Sequence, residues 1–144
     1  MTSKDHSHDP VTGPSHYRGA SGRQSIDITH AWRLGPDLTQ AVDYILRAGR
    51  KTPDPRQDLA KAAFYLRFAA GWGRDLTFGF PLRLDLSAAT VADDFALDAH
   101  RAAAIACLLR VHPTAADCRA AAGHVEAAIA ACAGTGDPIT TEGP

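Results

Sequence analysis

The stretch Pro36-Asp37-Leu38-Thr39-Gln40-Ala41-Val42-Asp43-Tyr44-Ile45-Leu46-Arg47-Ala48-Gly49-Arg50-Lys51, followed after Thr52-Pro53-Asp54-Pro55-Arg56-Gln57 by Asp58-Leu59-Ala60-Lys61-Ala62-Ala63-Phe64-Tyr65-Leu66, decides the fold. In its first half Leu38, Ala41, Val42, Ile45 and Leu46 recur at i, i+3, i+4, i+7 and i+8, the spacing that gathers apolar side chains on one helical face. Pro36 suits a first helical turn, where no N–H is needed, and Gly49 suits a left-handed cap, so the pattern predicts a helix over 36–48. In the second half Leu59, Ala62, Ala63, Leu66 and Ala70 repeat the pattern, and Phe64, Tyr65 and Phe68 widen that face. Asp54 with Pro55 marks the start of this helix, and Gly71 and Gly73 mark its end. A connection of about five residues makes the two helices antiparallel neighbours. The fold class is therefore mainly α, a small helical domain built on a helical hairpin over about 36–70.

Outward from the hairpin the pattern changes twice. Ile26 to Leu34 is apolar enough for a short helix, which Gly35-Pro36 breaks. Leu76, Phe78, Phe80, Leu82, Leu84 and Leu86 alternate with Thr77, Gly79, Pro81, Arg83 and Asp85, a period of two that predicts an extended arm over about 76–86 with one buried face. Pro81 cannot donate to a ladder, so the arm is expected to pack on helices or on a neighbouring subunit. Ser87 or Thr90 caps a third long helix running to about Val111, and Thr114 starts a last one ending near Gly134. These two C-terminal helices are Ala-rich, with a face of small residues that permits close approach. The chain thus divides into a flexible N-terminal segment (1–22), a helical core (23–71), the arm (72–86), a C-terminal helical pair (87–134) and a disordered tail (135–144).

Composition narrows the function classes. The net charge of −1 argues against wrapping a long nucleic acid, and no apolar run approaches the ~18 residues of a membrane span. The three cysteines, Cys107, Cys118 and Cys132, lack a CxxC spacing and read as free thiols, so the cytoplasm is the expected compartment. The small total charge conceals two patches. Residues 44–67 carry Arg47, Arg50, Lys51, Arg56, Lys61 and Arg67 against Asp54 and Asp58, while Asp85, Asp93, Asp94 and Asp98 stand in 84–100 without a cation.

Tyr44 and Arg47 share a helical face, Arg50 and Lys51 follow at the helix end, and Asp58, Lys61 and Tyr65 share a face of the next helix. Arginine forks and a lysine ammonium suit phosphate oxygens, and tyrosine rings suit a base or sugar. The same residues also read as a solvated hairpin held by an Asp58–Arg pair. His16-Tyr17, in the polar N-terminal segment, is a docking element in which His16 is either an acid–base group or a packing anchor. Asp94 and Asp98, at i and i+4, either hold a divalent cation or complement a helix dipole. No metal ligand set is assigned and no cofactor is required, although Mg²⁺ is compatible with phosphate chemistry. A P-loop, a GxGxxG turn, a GxSxG elbow and an HExxH helix are all missing from the sequence.

Asp9-Pro10-Val11, Pro14-Ser15-His16-Tyr17, Ile26-Asp27-Ile28, Ala41 to Lys51 and Asp58 to Leu66 together resemble a small phage-encoded family filed as domain of unknown function 3310. The resemblance covers about residues 9–68. Arg-Ala-Gly-Arg-Lys followed by Asp-Leu-x-Lys-Ala is its most specific part. The family includes a P-loop-less phage nucleotide kinase acting on deoxynucleoside monophosphates. The resemblance therefore implies nucleotide binding and phosphoryl transfer, with His16, Arg47 and Lys51 as catalytic groups. Tyr17, Tyr44, Arg50, Asp58, Lys61 and Tyr65 would contact substrate, and Asp27 and Gly49 also match the pattern. The chain departs from it at Thr12-Gly13, where the family has Asn-His, at Gln40, where it has Asn, and at Asp43, where it has Lys. Losing that cation bears more on transfer than on binding. A non-catalytic protein that sequesters a signalling nucleotide and a structural or regulatory homo-oligomer are the alternatives.

Overall fold

The computed structural model describes residues 8–9, 13–14 and 18–133. Two two-residue strands, β1 (His8–Asp9) and β2 (Gly13–Pro14), pair antiparallel. Six helices follow among the described residues: α1 (Ser25–Ala31), α2 (Pro36–Arg47), α3 (Arg56–Trp72), α4 (Ala88–Asp94), α5 (Ala99–Leu108) and α6 (Ala115–Ala133). The architecture is mainly α. Residues 1–7, 10–12 and 15–17, including His16 and Tyr17, and the tail after Ala133 lie outside the described residues.

The hairpin forms as its pattern requires. Leu38, Ala41, Val42, Ile45 and Leu46 of α2 are buried, as are Leu59, Ala62, Ala63, Leu66 and Ala70 of α3. Arg47 meets Asp58 while Tyr44 meets Tyr65, so stepping back along α2 steps forward along α3, the antiparallel sense. Asp54 accepts the backbone N–H of Arg56 while Pro55 already has helical angles (φ −81°, ψ −8°), so Asp54 acts as the cap. Gly49 (φ +82°) and Gly73 (φ +73°) supply the left-handed turns after α2 and α3, whereas Gly71 stays inside α3.

Three expectations need correcting. First, the face that Phe64 and Phe68 were to widen is not covered at those positions: Phe64 is 65% exposed and Phe68 53%. The core on that side is filled by Ala62, Ala63, Ala69 and Ala70. Second, residues 76–86 form no strand; a single bridge joins Leu34 to Thr77. The segment hangs from the α1–α2 turn by its backbone, with the Phe78 N–H donating to Arg33 O and the Leu82 N–H to Ala31 O. Its alternating side chains Phe78, Phe80, Leu82 and Leu84 are exposed, while Pro81 and Leu86 are buried. Third, the helix expected from Ser87 to Val111 is two helices. Ser87 caps α4, the chain turns at Ala96 (φ +54°), and the Asp98 carboxylate caps α5.

α6 packs along α3 and α5. Cys118, Ala121, Ala122, Val125 and Ala128 form its buried face. Thr114 and Asp117 exchange hydrogen bonds at its start, a reciprocal cap. Cys107 and Cys118 are buried free thiols whose pKa values burial pushes up, that of Cys118 to about 11. No helix among the described residues is long and apolar enough to cross a membrane.

Candidate functional site

The hairpin gathers five of the candidate residues at one end of the α2–α3 pair. The Tyr44 and Tyr65 rings stack with centroids 6.1 Å apart and planes 14° apart. The Arg47 guanidinium lies 4.7 Å from the Tyr44 ring centroid and the Lys61 Nζ 5.5 Å from it, so two cations share one aromatic ring. Arg47 Nη2 donates to Asp58 Oδ1 at 3.4 Å, and Asp58 is buried. The Asp58–Arg pair and the basic–aromatic cluster are therefore the same structure. Asp58 holds Arg47 in place, while Lys61 is exposed. A shallow pocket of about 390 Å³ opens there, lined by Tyr44, Gln57, Ala60, Lys61, Phe64 and Tyr65.

Arg50 and Lys51 do not join this cluster. Arg50 Nη2 donates to Arg18 O at 2.6 Å and Nη1 to Phe95 O at 3.2 Å, with the guanidinium over the Phe95 ring. It ties the entering N-terminal chain to the end of α4. Lys51 is exposed on the loop, with no ion pair to a described residue. The continuous described stretch begins at Arg18, whose carbonyl is bonded to Arg50, three positions past Arg47. Asp27 spends its carboxylate on the Gln24 N–H, within the capping box of α1.

Asp43 is half-buried on α2. Burial pushes its carboxyl above the ordinary carboxylate value, and the Ser25 hydrogen bond and the Arg47 charge pull it part of the way back. Its Oδ1 has no hydrogen-bond partner among the described residues.

Asp94 and Asp98 do not share a face, because the α4–α5 break separates them. Asp94 accepts from the Ser21 N–H, the Ser21 hydroxyl and Arg23 Nη1, and Asp98 pairs with Arg101. A Cβ on Gly19 would stand 2.5 Å from Asp94 Oδ2, so any larger residue there would push that carboxylate away. Among the described residues no group of three His, Cys, Asp or Glu side chains is placed to hold a metal ion.

Two features escaped the sequence reading. Arg101 Nη1 donates to Ala48 O, closing the end of α2, and no local pattern announces a contact across 53 residues. The other is a ladder of exposed rings on α3, Phe64, Phe68 and Trp72; the first two were assigned to the apolar face and Trp72 was not singled out. The larger clefts, of about 450 and 790 Å³, lie instead along α1 and the 76–86 segment.

Residues 11–67 match the model of a family described as a protein of unknown function, DUF3310. The matched segment is less than half of the chain. It contains the Tyr44–Arg47–Asp58–Lys61–Tyr65 cluster and ends within α3, leaving α4–α6 outside. No curated protein and no solved structure matches the chain.

Proposed function

We propose that the α2–α3 cluster binds a nucleotide, with Lys61 and Arg47 facing the phosphates and Tyr65 with Phe64 against the base. The observation that carries this reading is the stacked Tyr44–Tyr65 pair with two cations on the Tyr44 ring beside an open pocket. Oriented cations recognise phosphate oxygens, and a ring edge or face recognises a base. Phosphoryl transfer to a (deoxy)nucleoside monophosphate, as in the phage nucleotide kinase of the resembling family, is the reaction proposed for the site. Cations there would stabilise the transferring group. Arg50 is spent on two carbonyls and Asp43 stands in place of a cation, which supports binding more directly than transfer. Sequestration of a nucleotide without turnover is therefore the second reading. The ligand is taken to be a small phosphorylated molecule in the cytoplasm, that of a host cell if the chain is phage-encoded.

Thermal shift against nucleoside mono- and triphosphates tests binding. Lys61→Ala is the cleanest variant, because Lys61 is exposed and its loss leaves no buried partner. We expect it to weaken binding at least about tenfold, since ~1.5–3 kcal/mol for a charge-assisted hydrogen bond exceeds the ~1.4 kcal/mol of a tenfold change. Full affinity in Lys61→Ala would move the site elsewhere. Chromatography of a bound monophosphate incubated with a triphosphate donor then separates the two readings, diphosphate product marking transfer. Self-association is proposed through the exposed Phe78, Phe80, Leu82 and Leu84, and mass measurement in solution tests it.

A further inference from the structure

Beyond the pocket, the aromatic surface continues along α3. Phe64 sits edge-on to Tyr65 with centroids 5.4 Å apart. Phe68 follows at 6.5 Å with planes 20° apart, and Trp72 at another 6.5 Å with planes 7° apart. The Arg74 guanidinium closes the row 4.4 Å from the Trp72 ring. Phe64, Phe68 and Trp72 are half or more exposed, on the side of α3 that α2 and α6 leave open. The repeat comes from the helix: four residues rise about 6 Å. That step is close to two stacked-base thicknesses of ~3.4 Å, so successive rings are spaced to take successive bases.

Charge says what kind of partner fits. Arg47 and Lys61 stand at one end of the row and Arg74 at the other. Two of the carboxylates beside α3 are engaged, Asp58 with Arg47 and Glu126 with Arg67. A row of planar apolar faces flanked by cations complements a polyanion that carries planar groups. An apolar protein surface would leave the Lys61 and Arg74 charges unanswered, and a basic one would be repelled.

We propose that the Phe64–Phe68–Trp72 face of α3 binds a short single-stranded oligonucleotide, about three nucleotides over the ~16 Å from Lys61 to Trp72. This extends the nucleotide reading of the adjoining pocket and rests on it for the first nucleotide only. The near-zero net charge opposes wrapping a long duplex but not a contact of this length.

Trp72 supplies the readout. It is 50% exposed, whereas the other tryptophan, Trp32, is 5% exposed and hydrogen-bonded to Leu86 O. An eight-nucleotide oligothymidylate titrated into the full chain is expected to quench Trp72 emission and leave a buried Trp32 component. Phe68→Ala and Trp72→Ala should each weaken binding about tenfold, the scale of losing one base–ring stack. Phe68→Leu, which keeps apolar bulk and removes the ring, should weaken it too. Affinity should fall with salt with a log–log slope of roughly −2 for three phosphates. Mononucleotide binding, measured by thermal shift, should be unchanged in Trp72→Ala.

Absence of oligothymidylate binding with mononucleotide binding intact overturns the inference alone. Oligothymidylate binding that Phe68→Ala and Trp72→Ala abolish, without mononucleotide binding, supports it and overturns the pocket reading. Wild-type affinity in Phe68→Leu, or an affinity independent of salt, overturns the inference in favour of an apolar partner. So does self-association in sedimentation that Phe68→Ala removes, which would assign the ladder to a second copy.

Discussion

On α2 every apolar position of the helical pattern is buried, with Leu38, Ala41, Val42, Ile45 and Leu46 all at 0% exposure. Along 76–86 the alternating positions Phe78, Phe80, Leu82 and Leu84 are between 52% and 62% exposed. Both patterns are regular, so regularity alone does not decide burial. A helix satisfies its own backbone and needs only a surface to cover its stripe, which α3 provides. An extended segment must first find partners for its backbone. Here those partners are the carbonyls of Ala31 and Arg33 in a turn, not a neighbouring strand. The segment is anchored through its main chain, and the side chains that a sheet would have covered face outward.

The difference can be broken most directly by matched truncations. Leu46→Ala should destabilise the fold by about 2–5 kcal/mol, because it empties a fully enclosed volume, while Leu84→Ala should stay within about 0.5 kcal/mol. Denaturant unfolding at low protein concentration measures both. Equal losses would mean that the arm is covered in solution, as by a second subunit.

The main-chain anchoring is tested at Gly35, where an added Cβ would meet the Asp75 carbonyl oxygen at 2.0 Å. Gly35→Ala should cost about 1–3 kcal/mol through a forced backbone shift. It should also speed hydrogen exchange at Phe78 and Leu82, whose N–H groups hold the arm. Unchanged exchange there would locate the anchoring elsewhere, for instance in the Trp32–Leu86 bond.

The smallest effect sharpens the hairpin side. Burial raises the Asp43 pKa, so the folded state binds this proton more tightly than the unfolded chain does. Stability from this group is therefore greatest below the ordinary carboxylate pKa and falls as pH rises through the raised value. Asp43→Asn should raise Tm modestly at pH 7, and the gap should close toward pH 4. A gap that widens on acidification would show that the charged form is the stabilising one.

The site divides in the same way. Asp58, Lys61 and Tyr65 share a helical face by spacing, Tyr44 and Arg47 share another, and a short connection makes those faces meet. Arg50 looked equivalent to Arg47 because both flank the same helix end. Only the positions of the Arg18 and Phe95 carbonyls, 32 and 45 residues away in sequence, show that it serves the fold. Phe64 and Phe68 were legible as helical and apolar, yet their exposure depends on where α2 and α6 stop covering α3.

By itself the sequence determined the mainly helical class, the α2–α3 hairpin with its buried stripe, the Asp54 cap and the meeting of Tyr44, Arg47, Asp58, Lys61 and Tyr65. Each follows from the helical repeat, cap chemistry or loop length, which act within a few residues. The tertiary structure alone decided that α4 and α5 are separate, that the arm's alternating residues face solvent, that Asp94 binds the 19–23 loop and that the α3 ring ladder is open. Those outcomes depend on which distant backbone groups and surfaces come to lie beside a segment, and no local periodicity encodes that.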